Sequence, residues 1–141
     1  MEVYRWKQKG NLYLWRYRDN PKNYPGWQFT GDKEGVNSLC EILSLMLTEE
    51  KNVKRTIQLS TPSEVELSIS GCTSKAIPEM KVSLHCEVEE PIDWCIKPYA
   101  DSMDILCSPF SARGLRESLK KWLSGENEFS FGHNANQLWF W

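Results

Sequence analysis

A chain of 141 residues is the size of one domain and long enough to bury a sizeable core without disulfide or metal staples. Its 40% hydrophobic and 26% charged content excludes disordered and fibrous classes, and its longest apolar stretch, around residues 42–47, is far too short to span a bilayer. The net charge of −2 provides no global attraction to nucleic acid or to an anionic membrane.

Alternation in residues 3–7 and 12–17, joined by Lys9-Gly10-Asn11, predicts an opening β-hairpin. The run 19–26 is dense in turn formers and carries Pro21 and Pro25, so it reads as a loop. Trp27 and Phe29 alternate in a short extended piece leading to Thr30 or Asp32, either of which fits a helix cap. A helix is predicted over 33–49, with Val36, Leu39, Cys40, Leu43, Met46 and Leu47 on its buried face. Val53, Arg55, Ile57 and Leu59 then resume the two-residue period of a strand. Past the turn at 60–63, Val65, Leu67 and Ile69 alternate with Glu64, Glu66 and Ser68, the pattern of a half-exposed strand. Pro78 argues against a regular element between residues 72 and 80.

Three further strands follow from the alternation of Val82, Leu84, Cys86 and Val88, of Ile92, Trp94 and Ile96, and of residues 103–107. Ser108-Pro109 is a helix start, since proline is tolerated in the first turn, and Ala112, Leu115, Leu119, Trp122 and Leu123 mark the buried face of that helix. Phe129 and Phe131, a turn, and residues 138–141 read as a closing hairpin. Strands, helix and strands thus occur twice, an order that reads as two similar β-rich halves. Hairpin connections dominate and no regular βαβ alternation occurs. The predicted fold is therefore α+β, a mostly antiparallel sheet with two amphipathic helices packed on one face, in one globular domain over 1–141.

The common phosphate, dinucleotide, hydrolase and zinc-protease signatures are absent, so no catalytic residue, metal ligand or cofactor is assigned. The histidines are His85 and His133. His85 and Cys86 are adjacent on a strand and point to opposite faces, which leaves Cys95 on a neighbouring strand as the better partner for a nucleophile pair. The five cysteines lack metal-ligand spacing and the chain lacks an apolar leader with a cleavage site. They are read as reduced, mostly buried residues of a cytoplasmic protein.

Charge is unevenly distributed: residues 1–22 carry +4, and residues 79–104 carry −5. The leading expectation is a non-catalytic protein-binding domain, of which immunity-type masking of a basic protein is one form. The acidic stretch 87–104 would meet the basic partner, through Glu87, Glu89, Glu90 and Asp93, with Trp94 and Tyr99 as aromatic anchors. One alternative is single-stranded nucleic-acid binding by the opening hairpin, where Arg5, Trp6, Trp15, Arg16 and Arg18 would combine stacking with phosphate pairing. Another is an enzyme of unrecognised type. No membrane partner is expected. Residues 138–141, a leucine followed by three aromatics, either dock as a last strand or complete a homo-oligomer interface.

Overall fold

In the computed structural model, which describes residues 2–18, 25–72, 75–89, 93–100, 102–133 and 136–141, the chain is α+β. In chain order the elements are α1 (Glu2–Arg5), β1 (Leu12–Tyr17), β2 (Trp27–Gly31), α2 (Lys33–Met46), β3 (Val53–Gln58), α3 (Glu64–Leu67) and β4 (Ala76–Pro78). They continue with β5 (Lys81–Cys86), β6 (Trp94–Pro98), β7 (Ser102–Cys107), α4 (Pro109–Leu123), β8 (Phe129–Phe131) and β9 (Leu138–Phe140).

The strands divide into a five-stranded sheet, order β4-β1-β2-β9-β8, and a four-stranded sheet, order β3-β5-β7-β6. Each sheet is mixed: β2 runs parallel to β9 and β5 parallel to β7, and the other pairs are antiparallel. The division does not follow two consecutive halves, because the five-stranded sheet joins β1 and β2 to β8 and β9 and adds β4 from mid-chain, whereas the other takes all its strands from residues 53–107. Alternation puts Leu12, Leu14, Phe29, Leu138 and Phe140 on one inner face and Ile57, Val82, Leu84 and Ile105 on the other. Leu39 of α2 and Leu115 and Leu119 of α4 join them around an interior cavity of about 40 Å³ lined by apolar side chains.

Both long helices start as their sequences demand. Ser108 Oγ caps α4 by accepting from Ser111 N at 3.2 Å, with Pro109 in the first turn. Asp32 caps α2 by accepting from Gly35 N at 2.6 Å, and it also accepts from Asn11 N at 3.0 Å and Asn11 Nδ2 at 2.8 Å. Helix and β1 entry are thereby tied together by one carboxylate, whose pKa is held below the ordinary value chiefly by the Asn11 backbone N–H. Stability from a depressed carboxyl pKa is present above the unfolded-state value of about 3.9 and lost as pH falls through the folded-state value. Asp32→Ala is therefore expected to cost about 0.5–2 kcal/mol near neutral pH. Urea titrations at several pH values should show that difference from the parent protein shrinking below about pH 4.

Three segments depart from the expected elements. The opening hairpin does not form: residues 2–5 make one helical turn, and β1 pairs with β2 and β4 instead. The reason is burial of Val3 and Trp6 at helical spacing beside α2, where Trp6 Nε1 donates to Ser38 O at 3.0 Å. Arg55 then locks the turn from β3 by donating to the carbonyls of Val3 and Trp6 and stacking over the Trp6 ring, 5.2 Å from its centroid. The second departure is α3, expected as a strand. Ser63 and Glu66 form a capping interaction, Ser63 N donating to Glu66 Oε1 at 2.8 Å, and this local closure prevails over alternation. The third is β4, which pairs with β1 in spite of Pro78; it lies at the edge of the sheet, where a missing N–H is tolerated.

Residues 138–141 dock. β9 lies between β2 and β8, so both of its edges are paired and homo-oligomer formation through that strand has no free edge to use. Trp141 secures the end, its Nε1 donating to Gln28 Oε1 at 2.7 Å while its carbonyl accepts from Thr30 Oγ1 at 2.9 Å and Trp122 Nε1 at 2.8 Å. No helix among the described residues is long and apolar enough to cross a membrane.

Candidate functional site

The outer face of the four-stranded sheet is assembled by strand phase. Leu84 and Cys86 of β5 and Met103 and Ile105 of β7 point into the core, which turns His85 and Asp104 outward. The parallel register of β5 and β7 brings the two together, with His85 Nε2 3.8 Å from Asp104 Oδ1. On the other side, His85 Nδ1 lies 4.0 Å from Glu87 Oε1. Behind the row, the Cys107 thiol donates to the His85 carbonyl at 3.2 Å, and its hydrogen bond with Cys86, together with burial, pushes its pKa up.

Tyr99 extends the row. Its hydroxyl donates to Asp104 Oδ2 at 3.2 Å, and the carboxylate holds the phenolic proton, raising the tyrosine pKa. The ring remains 55% exposed. At the opposite end, Tyr4, 57% exposed, shares a cleft of about 230 Å³ with Asn52, Lys54, His85 and Glu87. Two exposed tyrosines therefore flank a Glu87–His85–Asp104 line, and among the described residues no lysine or arginine lies within ion-pair distance of either carboxylate. Such a surface can pair a cationic side chain between carboxylates while presenting aromatic faces beside it.

The expected partner-binding residues divide accordingly. Glu87 and Tyr99 belong to the row, and Glu89 is exposed just past β5, where its N–H and that of Val88 are held by Asn52 Oδ1 at 3.0 and 2.7 Å. Glu90 lies outside the described residues. Asp93 serves α4 instead, its Oδ1 accepting from the hydroxyls of Ser108 at 3.0 Å and Ser111 at 2.9 Å. Trp94 is half-buried, with Nε1 donating to Asn136 O at 2.6 Å and its ring edge-on to Phe131 at 4.7 Å. His85, Asp104 and Tyr4 were not singled out as binding residues, although Asp104 ends the acidic stretch 87–104 that was expected to meet the partner. The signal for the first two was present in their phase, opposite to the core residues of β5 and β7, whereas Tyr4 depended on the unexpected turn of α1.

The residues considered for nucleic acid do not share a surface. Trp6 and Trp15 are buried and offer no stacking face, because the hairpin that would have displayed them is absent. Arg5 is exposed in α1 beside Glu2, and Arg16 and Arg18 lie in a separate cleft. Nor do His85 and Cys95 meet: Leu106 stands between them in register, which places them two strand spacings, or about 10 Å, apart. Among the described residues no cluster of three histidine, cysteine or acidic side chains could hold a metal ion.

No protein-family model, curated protein or solved structure matches this chain.

Proposed function

We propose that this chain is a non-catalytic protein-binding domain whose four-stranded sheet receives a basic partner on its outer face. The observation that supports this reading is Tyr99, more than half exposed yet tethered through its hydroxyl to Asp104, in line with His85 and Glu87. An aromatic ring already held in place loses little freedom on association, and although Lys54 and Lys97 stand cross-strand from His85 and Asp104, neither carboxylate is ion-paired to a lysine or arginine among the described residues, which leaves both able to attract a positive surface. Immunity-type masking of a basic effector is the specific form of this reading; it requires that binding also silence the partner's activity.

The test is capture on the intact protein and on an Asp104→Lys/Glu87→Lys double variant, followed by calorimetry with the retained protein. A basic protein bound by the parent and not by the double variant is the expected result, and its affinity should fall as salt rises. Tyr99→Ala is expected to weaken that complex by about tenfold, in keeping with an interface aromatic of moderate weight. Equal retention by parent and double variant would move the interface to another face.

A further inference from the structure

A second cleft, of about 290 Å³, opens where β6 faces β1 and β2, lined among others by Arg16, Arg18, Trp27, Ile96, Pro98 and Asn136. Strand phase makes it unusual. Arg16 follows Leu12 and Leu14 at the two-residue period of β1, so a guanidinium occupies a position whose predecessors face the core. Its plane lies over the Trp27 ring, 5.8 Å from the centroid. Its Nε is buried without a hydrogen-bond partner, and among the described residues no carboxylate pairs with Arg16 or Arg18. The Nε–H is the part of this half-buried group that lacks an acceptor, and an anion in the cleft would add charge-assisted hydrogen bonds to the guanidinium.

The remaining polar lining is of the same character. Asn136 Oδ1 accepts from Ile96 N at 2.9 Å and the Asn136 carbonyl accepts from Trp94 Nε1, which fixes the residue and leaves its Nδ2 as a donor with no partner among the described residues. Arg16, Arg18 and Asn136 thus all line the one cleft, bringing two guanidinium-bearing side chains and an amide to it. Two positive charges match a dianion, and arginine forks match the oxygens of a phosphate. Trp27 is buried beneath Arg16, so no ring face is open for a nucleobase to stack upon.

We propose that this cleft is a binding site for the phosphate group of a small molecule, with Arg16 as the principal ligand and Arg18 and Asn136 completing the donor set. The site is separate from the sheet face assigned to the protein partner and stands independently of that reading.

Calorimetry with inorganic phosphate at constant ionic strength tests the proposal. Saturable one-to-one binding is expected, with a change in tryptophan fluorescence from Trp27 and no binding of acetate under the same conditions. Arg16→Gln should weaken phosphate by about tenfold or more, as removal of a charge-assisted fork does. Arg18→Gln, at an exposed position where substitution is expected to cost little stability, should weaken it by a smaller factor, which keeps the test informative if the Arg16 variant is poorly folded. Absence of saturable phosphate binding, or equal binding by parent and both variants, would overturn the proposal. A mixed-sequence oligonucleotide that displaces phosphate and binds far more tightly than phosphate would overturn the small-molecule assignment in favour of nucleic acid.

Discussion

Phe140→Ala is expected to lower the free energy of unfolding by about 3–5 kcal/mol, a large part of the roughly 5–15 kcal/mol that holds a typical domain together. The ring is fully buried, stacked on Phe129 at 4.9 Å and 12° and edge-on to Phe29 at 5.3 Å and 62°. It also forms part of the wall of the interior cavity, so truncation would enlarge a space that is already unfilled. Collapse cannot close it cheaply, because β9 is pinned on both edges by β2 and β8. Equilibrium unfolding in urea should show a lower midpoint at unchanged slope. Phe110→Ala, at a site 77% exposed, should stay within about 0.5 kcal/mol of the parent. A loss below about 1 kcal/mol for Phe140→Ala would mean that the aromatic cluster is not packed as described.

Gly35→Ala is expected to destabilise by about 1–3 kcal/mol, although alanine in place of a helical glycine ordinarily gains about 1 kcal/mol. The sign reverses because a β-carbon on Gly35 would stand 2.3 Å from the Asn11 carbonyl oxygen and 2.8 Å from its carbon, both backbone atoms. That backbone has little room to retreat. Asp32 N donates to the same Asn11 carbonyl at 3.0 Å, the Asp32 carboxylate grips Asn11 from the other side, and Ser60 N holds Leu12 O at 2.8 Å. Urea unfolding again decides the matter, and a stabilised variant would show that the segment entering β1 can shift.

The periodic stretches were legible in the sequence for a simple reason: α2, α4 and most of the strands bury one face over many residues, so period and burial agree. Short segments were not. Over residues 3–7 a two-residue and a helical period can hardly be told apart, and only contact with Ser38 and Arg55, distant in sequence, selects the turn. At residues 64–69 the alternation was genuine but misleading, since Val65 ends 71% exposed. Ser63 and Glu66 carried the capping-box signal that should have outweighed it. Strand order was beyond reach, because the parallel pairings of β2 with β9 and β5 with β7 are set by the shared core and leave no local trace. The same limit governed the candidate site. Acidic density drew attention to residues 87–104 as a stretch, whereas Asp93 was taken up by the start of α4, and the row on the sheet face needed the β5–β7 register to bring Asp104 beside His85.

Pairing of β2 with β9 joins residues 27–29 to residues 138–140, and it bears on how the chain is made. The four-stranded sheet draws only on residues 53–107, so its strands can pair while synthesis is still under way. The five-stranded sheet cannot close until Trp141 has left the ribosome, and until then β2 waits with one edge bare. Closure of this sheet thus rests on a long-range encounter, the kind of contact that forms slowly. During that interval the bare edge of β2 is open to pairing with the edge of a neighbouring chain.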